Sequence, residues 1–159
     1  MAGSTRRTAG SATLEKPSAG YDRDFYCWAQ EQGRLLRAGR WSEVDRENVA
    51  EEIESLGREQ FNKLESAIRV LLIHMLKWDY QPDRRSRSWA LSIKEQRIVL
   101  RNLIDDNPGL EPRINEAVTR AYEQAWVAAA NETGISDRVF PHVSPFSFAD
   151  ITSRPFEYE

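Results

Sequence analysis

The feature that most constrains this chain is a mainly apolar stripe that begins at Val49 and continues to Trp78. Its members recur every three or four residues, the spacing that places side chains on one face of an α-helix. They are Val49, Ile53, Leu56, Gln60, Leu64, Ala67, Leu71, Met75 and Trp78. Gln81-Pro82 ends the pattern, because proline disfavours helical geometry in the residue before it. The stripe predicts a long helix reaching about Tyr80 and an all-α fold.

Two segments of this predicted helix differ from the rest. From Val70 to Leu76 nearly every side is apolar, which indicates neighbours all round and predicts the centre of a bundle. Gly57 costs about 1 kcal/mol relative to alanine in a helix interior, and the helix exceeds the usual globular length. The sequence therefore predicts a bend near Gly57 and leaves open whether the helix is in two pieces there or continuous.

Three further amphipathic segments complete a predicted single-domain bundle of four main helices. The first has a plausible N-cap at Asp22 and ends at Gly39, which can adopt the left-handed cap conformation. The third covers roughly residues 86–106. The fourth follows the break at residues 107–109 and ends at Gly134, and its alanines permit close helix approach.

Both ends of the chain lack a regular apolar pattern. Residues 1–20 are rich in alanine, glycine, serine and threonine, and we expect a disordered tail there, with the helical-bundle domain over residues 21–159. From Ile135 onward, three prolines and spaced aromatics predict an irregular strap over the bundle, with one short turn starting at Ser147. Nothing is typical of a β-strand or an internal repeat.

Composition excludes several classes of protein. The net charge of −3 gives no global attraction to nucleic acid or anionic lipid, so such binding would need a local basic patch. A single cysteine, Cys27, forms neither an intrachain disulfide nor a cysteine zinc cage, which favours the cytoplasm. The most apolar run, residues 67–76, is about half the length of a membrane span of roughly 20 residues.

Catalytic and cofactor motifs are also missing. Of the two histidines, neither His74 nor His142 has the glutamate three residues earlier that a di-iron bundle requires, and no residue pattern predicts a metal or cofactor. No nucleophile elbow or phosphate-binding glycine loop occurs. His74 lies at the edge of the core stripe, so it is either a hydrogen-bonded core residue or a ligand or base.

Charged residues are separated along the chain. Residues 43–59 hold seven carboxylates against two arginines, and Asp45, Glu52 and Glu59 share one side of the helix. A solvated helix face, or an acidic surface for a basic partner, would explain them. Residues 84–101 hold six cations and one glutamate.

Most of those cations fall on one side of the third helix, opposite Trp89 and Ile93. This basic stripe consists of Arg84, Arg87, Lys94, Arg97 and Arg101. Cations in a first helical turn oppose the helix dipole, so we expect an acidic group to meet them. That group is either a carboxylate of this protein or of a second copy, or a phosphate of a nucleic acid or nucleotide.

Several segments together resemble a bacterial family, the domain of unknown function 29. They are Glu51-Glu52-Ile53-Glu54-Ser55-Leu56-Gly57, Leu71 to Trp78 with Gln81-Pro82, and Arg85-Ser86-Arg87-Ser88-Trp89 with Ile93 and Gln96-Arg97. The resemblance covers about residues 21–155 and implies an all-α fold without an assigned activity. Its polar or aromatic members suggest a candidate site made of Glu52, His74, Lys77, Trp89, Gln96 and Arg97.

Three functional hypotheses follow. The first is a non-enzymatic protein-interaction module that self-associates, as a homo-oligomer, or binds a protein partner through its charged helices. The second is a nucleic-acid-binding accessory protein that uses the basic stripe. The third is a small-molecule or metal site around His74.

Overall fold

The computed structural model describes residues 20–158, and this part of the chain contains helices and turns but no β-strand. The helices are α1 (Phe25–Arg37), α2 (Arg46–Tyr80), α3 (Arg87–Asp106), α4 (Ile114–Thr133) and the short α5 (Phe148–Ser153). The predicted all-α fold with four main helices is confirmed. No helix within the described residues is both long and apolar enough to cross a membrane. The predicted disordered tail lies outside the described residues, apart from Gly20.

Local sequence explains where the helices begin and end. The side chain of Asp24, two residues after the predicted cap, accepts a hydrogen bond from the backbone N–H of Cys27 at 2.9 Å and starts α1. Ser147 and Asp150 form a capping box at α5, which confirms the predicted turn. Gly39 and Gly134, after α1 and α4, both have the left-handed φ that glycine adopts at low cost.

Helix α2 is continuous through Gly57 and is therefore not divided into two pieces there. Gly57 is exposed, and a Cβ there would meet no atom within 4 Å. The free-energy cost of this glycine therefore comes from its low helix propensity and not from packing. The stripe is only partly buried: Leu64 and Leu71 are fully buried, whereas Ile53 and Leu56 remain 64% and 62% exposed. Helical spacing predicted the helix correctly but did not show which turns are covered.

The chain forms two compact units, Met1–Glu52 and Ile53–Glu159. In the described part of the first, Trp28 is buried and its indole N–H donates to Asp45 at 3.2 Å. Gln32 is also buried, and its side-chain oxygen accepts from the backbone N–H of Asp45 at 2.8 Å. The predicted single domain over residues 21–159 stays a prediction.

The hydrophobic core belongs to the second unit. The segment predicted at its centre supplies Leu71, Leu72, Ile73, Met75 and Leu76, all buried. Helices α3 and α4, the strap and α5 cover it with Ile93, Leu100, Ala117, Ala121, Ala125, Ala129, Phe140, Phe146 and Ile151. The buried alanines lie at four-residue spacing, which lets α4 approach its neighbours closely.

Candidate functional site

One side of α3 and the C-terminal segment enclose a groove of about 650 Å³, which we name the basic groove. The α3 residues that line it include Arg87, Leu91, Lys94, Arg97, Ile98 and Arg101, and the C-terminal segment adds Thr152, Phe156 and Tyr158. No carboxylate is among the described residues that line it. A smaller cavity of about 280 Å³ shares Arg97, Arg101 and Thr152 with it and includes Asp105.

The exposed part of α3 alternates basic and aliphatic side chains. Arg87, Lys94 and Arg101 recur every seven residues, as do Leu91 and Ile98, so all five lie along one side of the helix. Leu91 and Ile98 are 51% and 44% exposed. The strip is about 21 Å long at 1.5 Å per residue, and it combines positive charge with exposed apolar surface.

Three of these cations have no counter-ion among the described residues. Within residues 20–158, Arg87, Lys94 and Arg101 form no ion pair. Arg84 of the basic stripe also has none there, and it lies in a single 3-10 turn, Pro82–Arg84, and not in α3. The predicted acidic partner is therefore not supplied by the described residues of the same chain.

Arg97 is held by backbone carbonyls instead of a carboxylate. Its Nε donates to the carbonyl oxygen of Ile151 at 2.8 Å and its Nη2 to that of Asp150 at 3.1 Å. The guanidinium lies 5.3 Å from the ring centroid of Phe156. Desolvation lowers the pKa of Arg97, and the nearby charge of Arg154 lowers it further. Arg97 thus links α3 to α5 at the wall of the basic groove.

The C-terminal wall of the groove is fixed to α2 by a bidentate ion pair. Both terminal nitrogens of Arg154 donate to the carboxylate of Asp79, at 2.6 and 2.9 Å. Next to it, the ring of Phe156 meets Trp78 edge to face with centroids 5.5 Å apart. Sequence patterns predicted no role for Asp79, Arg154 or Phe156, and the spaced aromatics of the strap were the one signal that pointed to this wall.

Two further cations stack on tryptophans near the α2 to α3 connection. Lys77 lies 4.7 Å from the ring centroid of Trp89 and pairs with Glu132 at 2.7 Å. Arg85 lies over Trp78, 5.2 Å from its centroid, and donates through Nε to the carbonyl oxygen of the same residue at 2.9 Å. These contacts stabilise the helix ends, and they give Lys77 and Arg85 internal partners that Arg87, Lys94 and Arg101 lack within the described residues.

The other residues of the candidate site have separate surroundings. Glu52 belongs to the first unit, where its carboxylate accepts a hydrogen bond from the hydroxyl of Tyr21 at 2.5 Å. His74 is half-buried, with Nδ1 2.9 Å from the carbonyl oxygen of Val70, and it lines none of the cavities described here. Gln96 is half-buried on α3. Of the six candidates, the structure brings Lys77 and Trp89 into contact, and it places Arg97 in the groove.

Acidic residues do not form a metal-binding set in the described part of the chain, where no group of three or more His, Cys, Asp or Glu side chains is placed to hold a metal ion. In residues 43–59, Asp45 and Glu52 are hydrogen-bonded within the first unit, and Glu54 and Glu59 pair with cations one turn later on α2. Glu47 and Glu51 are exposed and form no ion pair within residues 20–158.

The comparison with known proteins identifies the family but no activity. No curated protein and no solved structure matches the chain significantly. The family described as "Domain of unknown function DUF29" matches residues 21–157, which is most of the chain. The chain therefore belongs to the DUF29 family.

Proposed function

We propose that the protein is a protein-interaction module whose basic groove binds an acidic, amphipathic segment of a partner. The observation that supports this is the strip of Arg87, Leu91, Lys94, Ile98 and Arg101, in which exposed cations without a counter-ion in the described residues alternate with exposed aliphatic side chains. A partner segment that pairs with the cations and also covers the aliphatic side chains must present carboxylates and apolar groups together.

A second copy is the first partner to test, because the chain itself carries such a segment. Residues 43–59 are acidic and include the exposed Ile53 and Leu56. Glu52 and Glu59 lie within about 60° of Leu56 on the helix, and they are seven residues apart, about 10 Å, which is also the spacing of Arg87 and Lys94. We expect these carboxylates to meet successive cations of another copy's groove.

Fluorescence anisotropy with a labelled peptide of residues 43–59 tests the proposal. We expect saturable binding at low ionic strength that weakens with added salt. Lys94→Glu with Arg101→Glu should weaken it about tenfold or more, because each reversal replaces attraction with repulsion of about 1 kcal/mol at a surface. Arg23→Glu with Arg138→Glu is the matched control, since it changes net charge equally and neither residue lines the groove.

The outcomes separate the hypotheses. Equal binding by the groove variant and the control variant, or no saturable binding, would contradict the proposal. If a single-stranded oligonucleotide of equal charge binds the groove and the peptide does not, the nucleic-acid alternative replaces it. We expect the peptide to bind better than the oligonucleotide, because its apolar side chains can cover the exposed Leu91 and Ile98 of the groove. Sedimentation equilibrium of the full chain then shows whether the partner is a second copy.

A further inference from the structure

Arg97 differs from the neighbouring cations of the basic groove. It is half-buried, whereas Arg87, Lys94 and Arg101 are exposed. Its guanidinium carries five N–H donors, of which two bind the carbonyl oxygens of Ile151 and Asp150. The remaining three have no hydrogen-bond partner within residues 20–158, although the side chain lines both the basic groove and the smaller cavity beside it.

The charge of Arg97 is also uncompensated. It forms no ion pair with a carboxylate of residues 20–158, and the neighbouring charge that acts on it, Arg154, has the same sign. Burial of an unpaired charge is unfavourable, and an anion that reaches the guanidinium would relieve that cost. The carbonyl bonds and the ring of Phe156 hold the side chain in place before any ligand arrives, so little rotamer entropy remains to be lost.

Lys94 and Arg101 complete the arrangement. They lie three residues before and four residues after Arg97, the spacings at which helix side chains are neighbours. Arg101 lines both cavities with Arg97, and Lys94 lines the larger one. A planar guanidinium fork flanked by two flexible cations matches a group with two or more coplanar or tetrahedral oxygens.

We propose that Arg97, Lys94 and Arg101 form a binding site for a single oxyanion, either a carboxylate or a phosphate group. The inference deepens the proposed function and rests on the same groove: in a protein partner, the bound group is one carboxylate of the acidic segment. Arg97 is then the anchor of the groove, while Arg87 and the aliphatic side chains contact the rest of the segment.

An NMR titration of the full-length protein tests the site. The Nε–H of Arg97 is protected by its bond to Ile151, which favours a resolved signal in a ¹⁵N-labelled sample. Sodium phosphate and sodium glutarate are added separately, with chloride keeping the ionic strength constant. We expect a saturable shift of this signal in at least one arm, and the arm with the lower Kd identifies phosphate or carboxylate as the preferred group.

Two double variants provide the comparison. Lys94→Gln with Arg101→Gln should raise the Kd about tenfold, since each charge-assisted contact is among the stronger hydrogen bonds, and it leaves the Arg97 link to α5 intact. Arg23→Gln with Arg138→Gln should leave the Kd unchanged. A linear, non-saturating shift in both arms, or an equal Kd in the two variants, would overturn the oxyanion site.

The two proposals fail in distinguishable ways. Groove-dependent peptide binding without saturable binding of either anion overturns the oxyanion site alone. Saturable anion binding without peptide binding overturns the protein-interaction function alone.

Discussion

Arginine in this protein often covers aromatic rings. In the second unit the guanidinium carbon of Arg113 lies 3.8 Å from the ring centroid of the buried Phe61, and Arg154 and Arg97 lie 5.0 and 5.3 Å from that of Phe156. Such contacts combine cation–π attraction with burial of the arginine stem. The number of charged residues in the sequence therefore overestimates how much of the protein surface contacts only solvent, because some arginines pack against aromatic rings.

Breaking the ion pair between Asp79 and Arg154 should loosen the C-terminal wall of the groove. Both side chains are about one-third exposed or less, so we expect a coupling free energy of about 1 kcal/mol in a double-mutant cycle with Asp79→Asn and Arg154→Gln. Urea denaturation of the four proteins measures it. A coupling near zero would show that the bidentate geometry does not contribute to stability.

The phenol of Tyr21 should lose its proton at a higher pH than an ordinary tyrosine does. Its hydrogen bond to Glu52, followed by desolvation, raises its pKa to about 12 from the ordinary 10.0. Folding thus favours the protonated phenol: the stabilisation is complete below pH 10 and is lost as pH rises through the folded pKa. The difference in phenolate absorbance between wild type and Tyr21→Phe should show a step near pH 12, and Glu52→Gln should move that step toward 10. A step near 10 in the wild type contradicts this hydrogen bond.

At the scale of helices, α2 and α3 show what sequence patterns can and cannot specify. Helical spacing predicted the extent of α2 and the run of α3 within a residue of Ser86. It also predicted the burial of residues 70–76, of which all but the half-buried Val70 and His74 are buried. The same spacing placed Ile53 and Leu56 in the core, and they are exposed. Periodicity defines a face, whereas burial depends on which other helix reaches that face, and that is a long-range property.

The candidate site was harder to predict for the same reason. The sequence identified the cations of α3 because they share a helix face, but the opposite wall comes from residues 152–158, far along the chain. Glu52 and His74 were grouped with Lys77 and Arg97 by resemblance to a family. In the structure Glu52 accepts a hydrogen bond from Tyr21, and Nδ1 of His74 lies 2.9 Å from the carbonyl oxygen of Val70. A shared role for the six residues stays a prediction.

Gly57→Ala should stabilise α2. The site is exposed, helical and free of atoms within 4 Å of an added Cβ, so the substitution removes a propensity cost of about 1 kcal/mol without a clash. Thermal denaturation followed by circular dichroism should show a higher Tm. Gly134→Ala is the contrasting variant, because φ is +72° there and the substitution should lower the Tm. A Tm decrease for Gly57→Ala would mean that the helix is strained at this point.

At the scale of the whole molecule, apolar burial is concentrated in the second unit. The main core cluster runs from Phe61 to Ile151, whereas the described part of the first unit buries few large side chains, chiefly Trp28 and Leu35. The described part of the first unit also has polar contacts, such as those that Asp45 makes with Trp28 and Asn48, and ring contacts among Tyr21, Phe25 and Trp28.

Two substitutions on α2, both within the second unit, should show how burial varies along this helix. Leu71→Ala removes a side chain with no exposed surface and should lower the free energy of unfolding by about 2–5 kcal/mol. Ile53→Ala, at a position 64% exposed, should change it by no more than about 0.5 kcal/mol. Guanidinium denaturation of both variants makes the comparison. A large loss from Ile53→Ala would indicate that this side chain is covered in solution, as self-association predicts.

The ion pair between Asp79 and Arg154 also has a kinetic consequence. It joins residues 75 positions apart, so the wall of the basic groove forms by closing a long loop, while the helical turns of α2 and α3 form from neighbours. The C-terminal segment is therefore expected to detach in a local opening that leaves the helices intact, and amide hydrogen exchange at Ile151 should be faster than at Leu72. A partner bound in the groove should then slow amide hydrogen exchange in the C-terminal segment, because that segment forms one wall of the site to which the partner binds.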